Sequence, residues 1–226
     1  MPYKYDEVVP WGRSMEEYFW MFNLTPEDLK LKILGCGDGP ASFNSEMTKR
    51  GYHVISIDPL YQFTTQQIQE RINETYDNVI GQTYQNQEKF IWERIPSVQA
   101  LGDLRMASMN QFLEDYEKGK EEDRYLDAIL PILSFNDKEF DLALSSHFLF
   151  LYTDILTFEF HIEAILEMCR VAKEVRIFPL LNVNSIFSPY VEKIISELDS
   201  LGKKAKIETV YYEFQKGGNQ MLRIQQ

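Results

Sequence analysis

Cysteine is nearly absent: only Cys36 and Cys169 occur in 226 residues, far apart and in no metal-type spacing. A disulfide framework and a cysteine-bound zinc site are excluded, no other metal-ligand set stands out, and a reducing cytoplasm is the expected compartment. Basic charge is also short, with 23 Lys and Arg against 35 Asp and Glu, a formal net charge of −12 and a pI near 4.8. That imbalance repels a nucleic-acid backbone or an anionic membrane, so neither is expected as a partner. No apolar stretch approaches the roughly 18 residues of a membrane helix. Met1-Pro2-Tyr3-Lys4-Tyr5-Asp6-Glu7 has no apolar core of a signal peptide. No internal repeat is visible, and nothing ends in the Gly-Lys-Ser/Thr of a phosphate-binding P-loop.

What is present suffices for a packed core. With 44% hydrophobic and 14% aromatic residues, disorder is excluded as the main state, and the length suits a single domain over 1–226. Residues 29–34 alternate like a strand, and Gly35-Cys36-Gly37-Asp38-Gly39-Pro40 then breaks the pattern. A helix is expected over 41–50 with Gly51 stopping it, and a strand over 54–57 ending at Asp58-Pro59. Residues 61–124, rich in Gln, Glu and aromatics, contain no good strand and read as a helical insertion. Val98, Leu101, Leu104, Met109, Phe112, Leu113 and Tyr116 there follow a Pro96-Ser97 start signal at mostly helical spacing. Strand-like sequence resumes over 125–133, 140–144 and 174–181, with helices over 159–172 and 189–201. A closing hairpin is expected from 205–214 and 221–224 around Gly217-Gly218-Asn219. Strands alternating with helices, and one antiparallel hairpin at the end, define an α/β sandwich.

A glycine-rich turn between strand and helix permits unusual backbone angles and lets main chain approach a ligand with no side chain in the way. An acid at the end of the next strand then accepts two hydrogen bonds from a ribose diol. Gly35, Gly37 and Gly39, with Asp58 placed 19 residues after Gly39, fit that geometry, although glycine turns also join strands to helices for structural reasons alone. Pro40 stands where a dinucleotide fingerprint has its third glycine, which favours a ligand without a pyrophosphate.

These residues resemble the class I S-adenosylmethionine-dependent methyltransferases. The likeness lies in Ile33-Leu34-Gly35-Cys36-Gly37-Asp38-Gly39-Pro40, in Asp58 as the ribose acid, and in Leu133-Ser134-Phe135-Asn136-Asp137-Lys138-Glu139-Phe140-Asp141 leading into the fourth strand. A narrower likeness is to an uncharacterised bacterial branch with Trp-Gly-Arg-Ser, Gly-Pro-Ala-Ser-Phe and Phe-Gln-Lys-Gly-Gly-Asn, here Trp11 to Ser14, Gly39 to Phe43 and Phe214 to Asn219. The resemblance implies a Rossmann-like, mostly parallel seven-stranded sheet with a C-terminal antiparallel hairpin. It also implies S-adenosyl-L-methionine as cofactor and in-line methyl transfer, while the acidic charge makes a small molecule the expected acceptor, with residues 1–28 read as a helical lid and 61–124 as a cap over the acceptor site. One departure stands out: the acid that opens the family's first motif, and helps to organise the methionine end of the cofactor, is replaced by Ile33 or, in the other alignment, by Gly35. Asp38 is a neighbouring carboxylate that would compensate in part.

The cofactor-binding candidates are Gly35, Cys36, Gly37, Gly39, Asp58, Pro59, Leu60, Tyr61, Ala128, Ile129, Ser145, Ser146 and Arg13. Ala128 and Ile129 fall where the resemblance puts adenine contacts, with Asp127 a weaker neighbour. Tyr61 is either against the adenosine or ordinary core, and Arg13 either reaches the cofactor carboxylate or forms a surface ion pair. His147, at the tip of the fourth strand, is the catalytic candidate, a general base whose ordinary pKa lies near neutrality, with structural packing as its alternative. Asn182 and Asn184 bring no carboxylate cluster, so the magnesium-dependent type gains no support, and Ser145-Ser146-His147-Phe148 differs from the Asn/Asp-Pro-Pro-aromatic loop of many amino-group methylases. Two rivals stay open: a nicotinamide-dependent oxidoreductase and a non-catalytic Rossmann-like nucleoside-binding protein.

Overall fold

The computed structural model describes residues 8–225. Its strands are β1 (Ile33–Cys36), β2 (Val54–Ile57), β3 (Tyr125–Leu126), β4 (Phe140–Ser146), β5 (Ala172–Phe178), β6 (Lys204–Thr209) and β7 (Gln220–Gln225). They form one sheet in the order β3-β2-β1-β4-β5-β7-β6, with β7 antiparallel to β5 and β6 and the remaining pairs parallel. This is a Rossmann-like α/β sandwich, a mostly parallel seven-stranded sheet closed by an antiparallel C-terminal pair.

Every residue of β1 is buried, as is nearly all of β4, because these strands lie mid-sheet with both faces covered. Successive residues feed opposite layers. Leu34, Cys36 and Ala143 join a core built with α5 (Phe158–Val171) and α6 (Val191–Ser200). Ile33, Leu142 and Leu144 pack against α1 (Met15–Met21) and α2 (Phe43–Lys49). Polar residues set the helix starts: Ser14 and Thr64 form capping boxes with Glu17 and Gln67, while Ser97 and Thr157 cap α4 (Val98–Glu121) and α5. Residues 61–124 hold no strand, as expected; α3 (Thr65–Gln85) lies beside α4, and a third, aromatic cluster of Tyr61, Phe112, Tyr116 and Tyr125 fills the space beneath. No helix among the described residues is long and apolar enough to cross a membrane.

Most boundaries shift by one to three residues, and three differ by more or for a physical reason that can be named. Residues 28–30 form a turn of 3₁₀ helix ahead of β1, since the Asp28 carboxylate accepts the Thr25 amide at 2.9 Å and pairs with Arg176. Gly35 and Cys36 are consequently the last residues of β1, and the bend begins at Gly37. The third strand stops at Leu126, well short of residue 133, because Pro131 has no N–H to offer a ladder and Ile129 and Ile132 lie 60% and 83% exposed. The closing hairpin is joined by a long loop over 210–219, since Val210 and Tyr212 turn into the core after β6. Of the segment 1–28, residues 1–7 lie outside the described residues; in the rest, α1 is the one α-helix.

Candidate functional site

The chain steps outward from β1 through β2 to β3, then returns past β1 to lay down β4 on its other side. The crevice beyond the carboxyl ends of β1 and β4 is therefore the switch point at which open α/β sheets bind ligands. A cavity of about 830 Å³ opens there, and Gly37, Gly39, Asp58, Pro59, Leu60, Ala128, Ile129, Ser146, His147 and Arg13 all line it.

The bend is shaped by left-handed backbone at Gly37 (φ +68°) and Gly39 (φ +53°). The two glycines differ in what faces them. A Cβ at Gly37 would lie 2.7 Å from the Phe148 ring, whereas at Gly39 the nearest neighbour would be the Asp58 carboxylate at 3.9 Å, so the open approach to main chain is at Gly39. Asp58 follows β2 directly and locks the bend: one carboxylate oxygen accepts the Gly39 amide at 2.9 Å, the other the Leu60 amide at 2.8 Å. Each oxygen keeps acceptor capacity, and the half-buried group lines the cavity. Burial, with Asp127 adding its charge, outweighs those two bonds and pushes the Asp58 carboxyl up to about 6.

Gly35, Cys36, Tyr61 and Ser145 are not brought to the cavity. The space a side chain at Gly35 would need is filled by the Asp38 carboxylate, 1.8 Å from the position of its Cβ. Cys36 is wholly buried in the core with Leu34 and Ile57. Tyr61 packs among aromatic rings and supports the bend from behind, its hydroxyl donating to the Gly39 carbonyl at 2.8 Å. Ser145 points to the opposite face of β4 from Ser146, fully buried and with no partner for its hydroxyl among the described residues.

Arg13 is in no surface ion pair. Its Nη1 donates to the Trp11 carbonyl, its Nε is buried without a partner, and no carboxylate pairs with it among the described residues. Burial, with Arg105 nearby, brings the guanidinium down to about 10, so it remains charged at neutral pH. Beneath it Arg105, 1% exposed, grips Glu17 through two bonds of 2.6 and 2.7 Å, and Tyr212 donates to the same carboxylate at 2.9 Å. Burial alone would raise Glu17, but Arg105 and Arg13 together hold it at about 2. His147 directly follows β4 with φ +53°, an uncommon backbone for a non-glycine residue and a form of strain that gathers at functional sites. Its Nδ1 lies 3.0 Å from Ser146 Oγ, and Nε2 has no partner among the described residues. Burial and the two guanidiniums depress its pKa well below 6.5, leaving a neutral imidazole in the cavity wall.

The three short motifs meet here. A Cβ at Gly12 would strike the Pro40 carbonyl at 2.1 Å, and the Ser42 amide donates to the Arg13 carbonyl, so Trp11 to Ser14 lies directly on the bend. Phe214 and Gln215 reach the same cavity from the far end of the chain, held by backbone bonds from Ile91 to Phe214 and from Lys216 to Lys89. The sequence reading missed Glu17, Tyr18, Ser56, Arg105 and Tyr212. Glu17 in a capping box and Arg105 on an apolar helix face gave only weak signals, because each looks like an ordinary surface residue.

The donor set fits an adenosyl cofactor. Gly39 offers bare main chain, Asp58 offers spare acceptor capacity beside it, and Ala128 and Ile129 continue the wall beyond β3. No family model matches the chain. It is 36% identical over 222 residues to the uncharacterized protein MJ0045 of Methanocaldococcus jannaschii, with 96% of each chain covered, an archaeal relative rather than a bacterial one. Among solved structures, a candidate S-adenosyl-L-methionine-dependent methyltransferase of Methanococcus maripaludis overlaps 94% of this chain and 83% of its own, at 12% identity and a TM-score of 0.47. Magnesium protoporphyrin IX methyltransferase from Synechocystis, with cofactor bound, overlaps 88% and 71% at 11% identity and a TM-score of 0.45.

Proposed function

The chain belongs to the family of its Methanocaldococcus jannaschii relative, and we propose that it binds S-adenosyl-L-methionine and transfers the methyl group to a small-molecule acceptor. The observation that carries this reading is the pairing of Gly39 and Asp58, open main chain beside a half-buried carboxylate at the switch point of the sheet. Asp58 would take the ribose hydroxyls, Pro59 and Leu60 the sugar's flank, Ala128 and Ile129 the adenine, and Arg13 the carboxylate of the methionine end. When bound, the cofactor would supply a sulfonium-activated methyl carbon open to in-line attack by the acceptor, the methyl–sulfur bonding pair leaving on sulfur as S-adenosylhomocysteine.

The protein's part is positioning, worth about 7–11 kcal/mol when donor and acceptor are held at near-attack distance. Ser146 and His147, on the tip of the central strand β4, form the wall nearest that step. A neutral imidazole in the field of two guanidiniums is a weak base, and a weak base suffices where methylation itself makes the acceptor proton acidic. Phe90, Phe160 and Phe214 give the rest of the cavity apolar walls suited to a small organic acceptor. In this reading α3, α4 and the N-terminal segment cover that acceptor.

Calorimetry with S-adenosylmethionine, S-adenosylhomocysteine and NADH tests the proposal. Binding of both sulfur nucleosides and not of NADH is expected; binding of NADH alone selects an oxidoreductase, and binding of none refutes the reading. A non-catalytic nucleoside-binding protein is the second reading, favoured by the missing acid on β1, and sulfur-nucleoside binding without turnover on a broad acceptor panel selects it.

A further inference from the structure

The motif Phe214 to Asn219 carries a polar side chain into the cavity far from the glycine bend. Gly217 takes left-handed backbone (φ +77°), and the Gly218 amide donates to the Gln215 main-chain carbonyl at 2.8 Å, closing a tight turn. A Cβ at Gly218 would come 3.0 Å from that carbonyl oxygen and 3.2 Å from the Gln215 Cβ, so glycine there lets the turn close on Gln215. The Gln215 side-chain nitrogen then reaches the turn that follows β5. It donates to the Asn182 carbonyl at 3.0 Å and the Ser185 hydroxyl at 3.2 Å, with the Val183 carbonyl at 3.4 Å. That turn is itself fixed, because the Asn182 side-chain oxygen accepts the Asn184 and Ile186 amides at 2.9 and 3.0 Å.

These bonds decide which way the Gln215 amide faces. Turned over, its oxygen would meet two main-chain carbonyls, which is repulsive. The side-chain oxygen therefore faces away from the turn. It accepts from nothing among the described residues, and the half-buried residue lines the cavity. The walls that share this part of the cavity are apolar: Leu151 and Val183 are joined by a backbone bond, and the Phe90 and Phe214 rings stack with centroids 4.8 Å apart. The segment that carries Gln215 also carries Tyr212, whose ring centroid lies 6.5 Å from that of His147. One short stretch of chain thus joins the free oxygen to the wall at the tip of β4.

We propose that Gln215 is a specificity residue for the methyl acceptor, and that this acceptor is a flat aromatic molecule whose neutral N–H or O–H group donates to the Gln215 side-chain oxygen while the atom to be methylated lies toward His147. Phe90 and Phe214 supply the aromatic wall. A fixed oxygen in apolar surroundings selects for a donor, since a ring without one displaces water from that oxygen and leaves it unpaired. This rests on the S-adenosylmethionine reading above and goes further by naming the class of acceptor.

Indole and benzofuran, rings of nearly one shape that differ in the N–H, serve as probes, titrated by NMR into the full chain saturated with S-adenosylhomocysteine. Indole is expected to bind at least about fivefold more tightly than benzofuran, the worth of one neutral hydrogen bond. Gln215→Met should bring the two rings within about twofold of each other and leave S-adenosylhomocysteine affinity within about twofold of wild type. A smaller preference in the wild type, binding of neither ring, or a preference that survives in Gln215→Met overturns the assignment and leaves the cofactor reading standing. Failure of S-adenosylhomocysteine itself to bind overturns both. If Gln215→Met does not fold, a crystal structure of the wild-type S-adenosylhomocysteine complex with indole decides the matter. The ring nitrogen within hydrogen-bond distance of the Gln215 side-chain oxygen supports the proposal, and a ring bound elsewhere or absent overturns it.

Discussion

Replacing Asp38 by asparagine should stabilise the unliganded protein at alkaline pH. The carboxylate is buried, accepts two hydroxyl bonds and has no cation beside it among the described residues; burial pushes its pKa up to about 6, against 3.8 for an ordinary aspartate. A folded-state pKa above the unfolded one means that ionisation disfavours the fold. The penalty is absent below about pH 4, grows between pH 4 and 6, and is complete above 6, where a difference of this size corresponds to about 3 kcal/mol. Asparagine carries no charge, but it presents an amide to Ser56, whose hydroxyl already accepts from Asn44 at 3.1 Å, so about 1–2 kcal/mol of hydrogen bonding is lost. The balance at pH 8 is a gain of about 1–2 kcal/mol, or roughly 2–8 °C in melting temperature for a chain of this length. At pH 4 the sign reverses, because wild-type Asp38 is then largely neutral and keeps its bonds. Calorimetric melts of both proteins at the two pH values measure this directly. A difference in stability that is the same at pH 4 and pH 8 refutes the reasoning, since the argument depends on Asp38 ionising without a partner.

Glu17→Gln should lose about 3–5 kcal/mol in urea unfolding, because it leaves Arg105 and Arg13 buried together without a counter-charge. Gly39→Ala should cost about 1 kcal/mol for its left-handed backbone and should weaken S-adenosylhomocysteine by more than about tenfold in calorimetry, since its methyl group enters the open approach beside Asp58. His147→Gln should leave that affinity within about twofold while turnover on any acceptor found falls by roughly 10² or more. S-adenosylmethionine affinity should fall as pH drops through about 6, because protonation removes the charge from the Asp58 carboxylate and with it the charge-assisted acceptance of two ribose hydroxyls; an affinity flat from pH 5 to 8 contradicts that role.

The fold was largely legible because its signals are local. The span 54–57 matches the observed limits of β2, and a bend between the first strand and the following helix is legible two residues early, since left-handed backbone and an acid closing the next strand are both written in residue type. Signals that depend on the third dimension were not legible. Apolar residues after Tyr125 looked like strand, yet Ile129 and Ile132 extend away from the sheet; nothing in hydrophobicity alone separates a buried run from an exposed one. Glu17 and Arg105 stand 88 residues apart, and neither announces the other. The position of Asp38 over Gly35 likewise required coordinates, although both residues lie in the same short motif.

The central claim is that Gly39 and Asp58 hold an adenosyl group by its ribose. A crystal structure of the protein with S-adenosylhomocysteine tests it most directly. The account predicts both ribose hydroxyls within hydrogen-bond distance of the Asp58 carboxylate and the adenine lying toward Ala128 and Ile129. A nucleoside bound elsewhere, or an Asp58 carboxylate still turned wholly to the Gly39 and Leu60 amides with no contact to sugar, would contradict it.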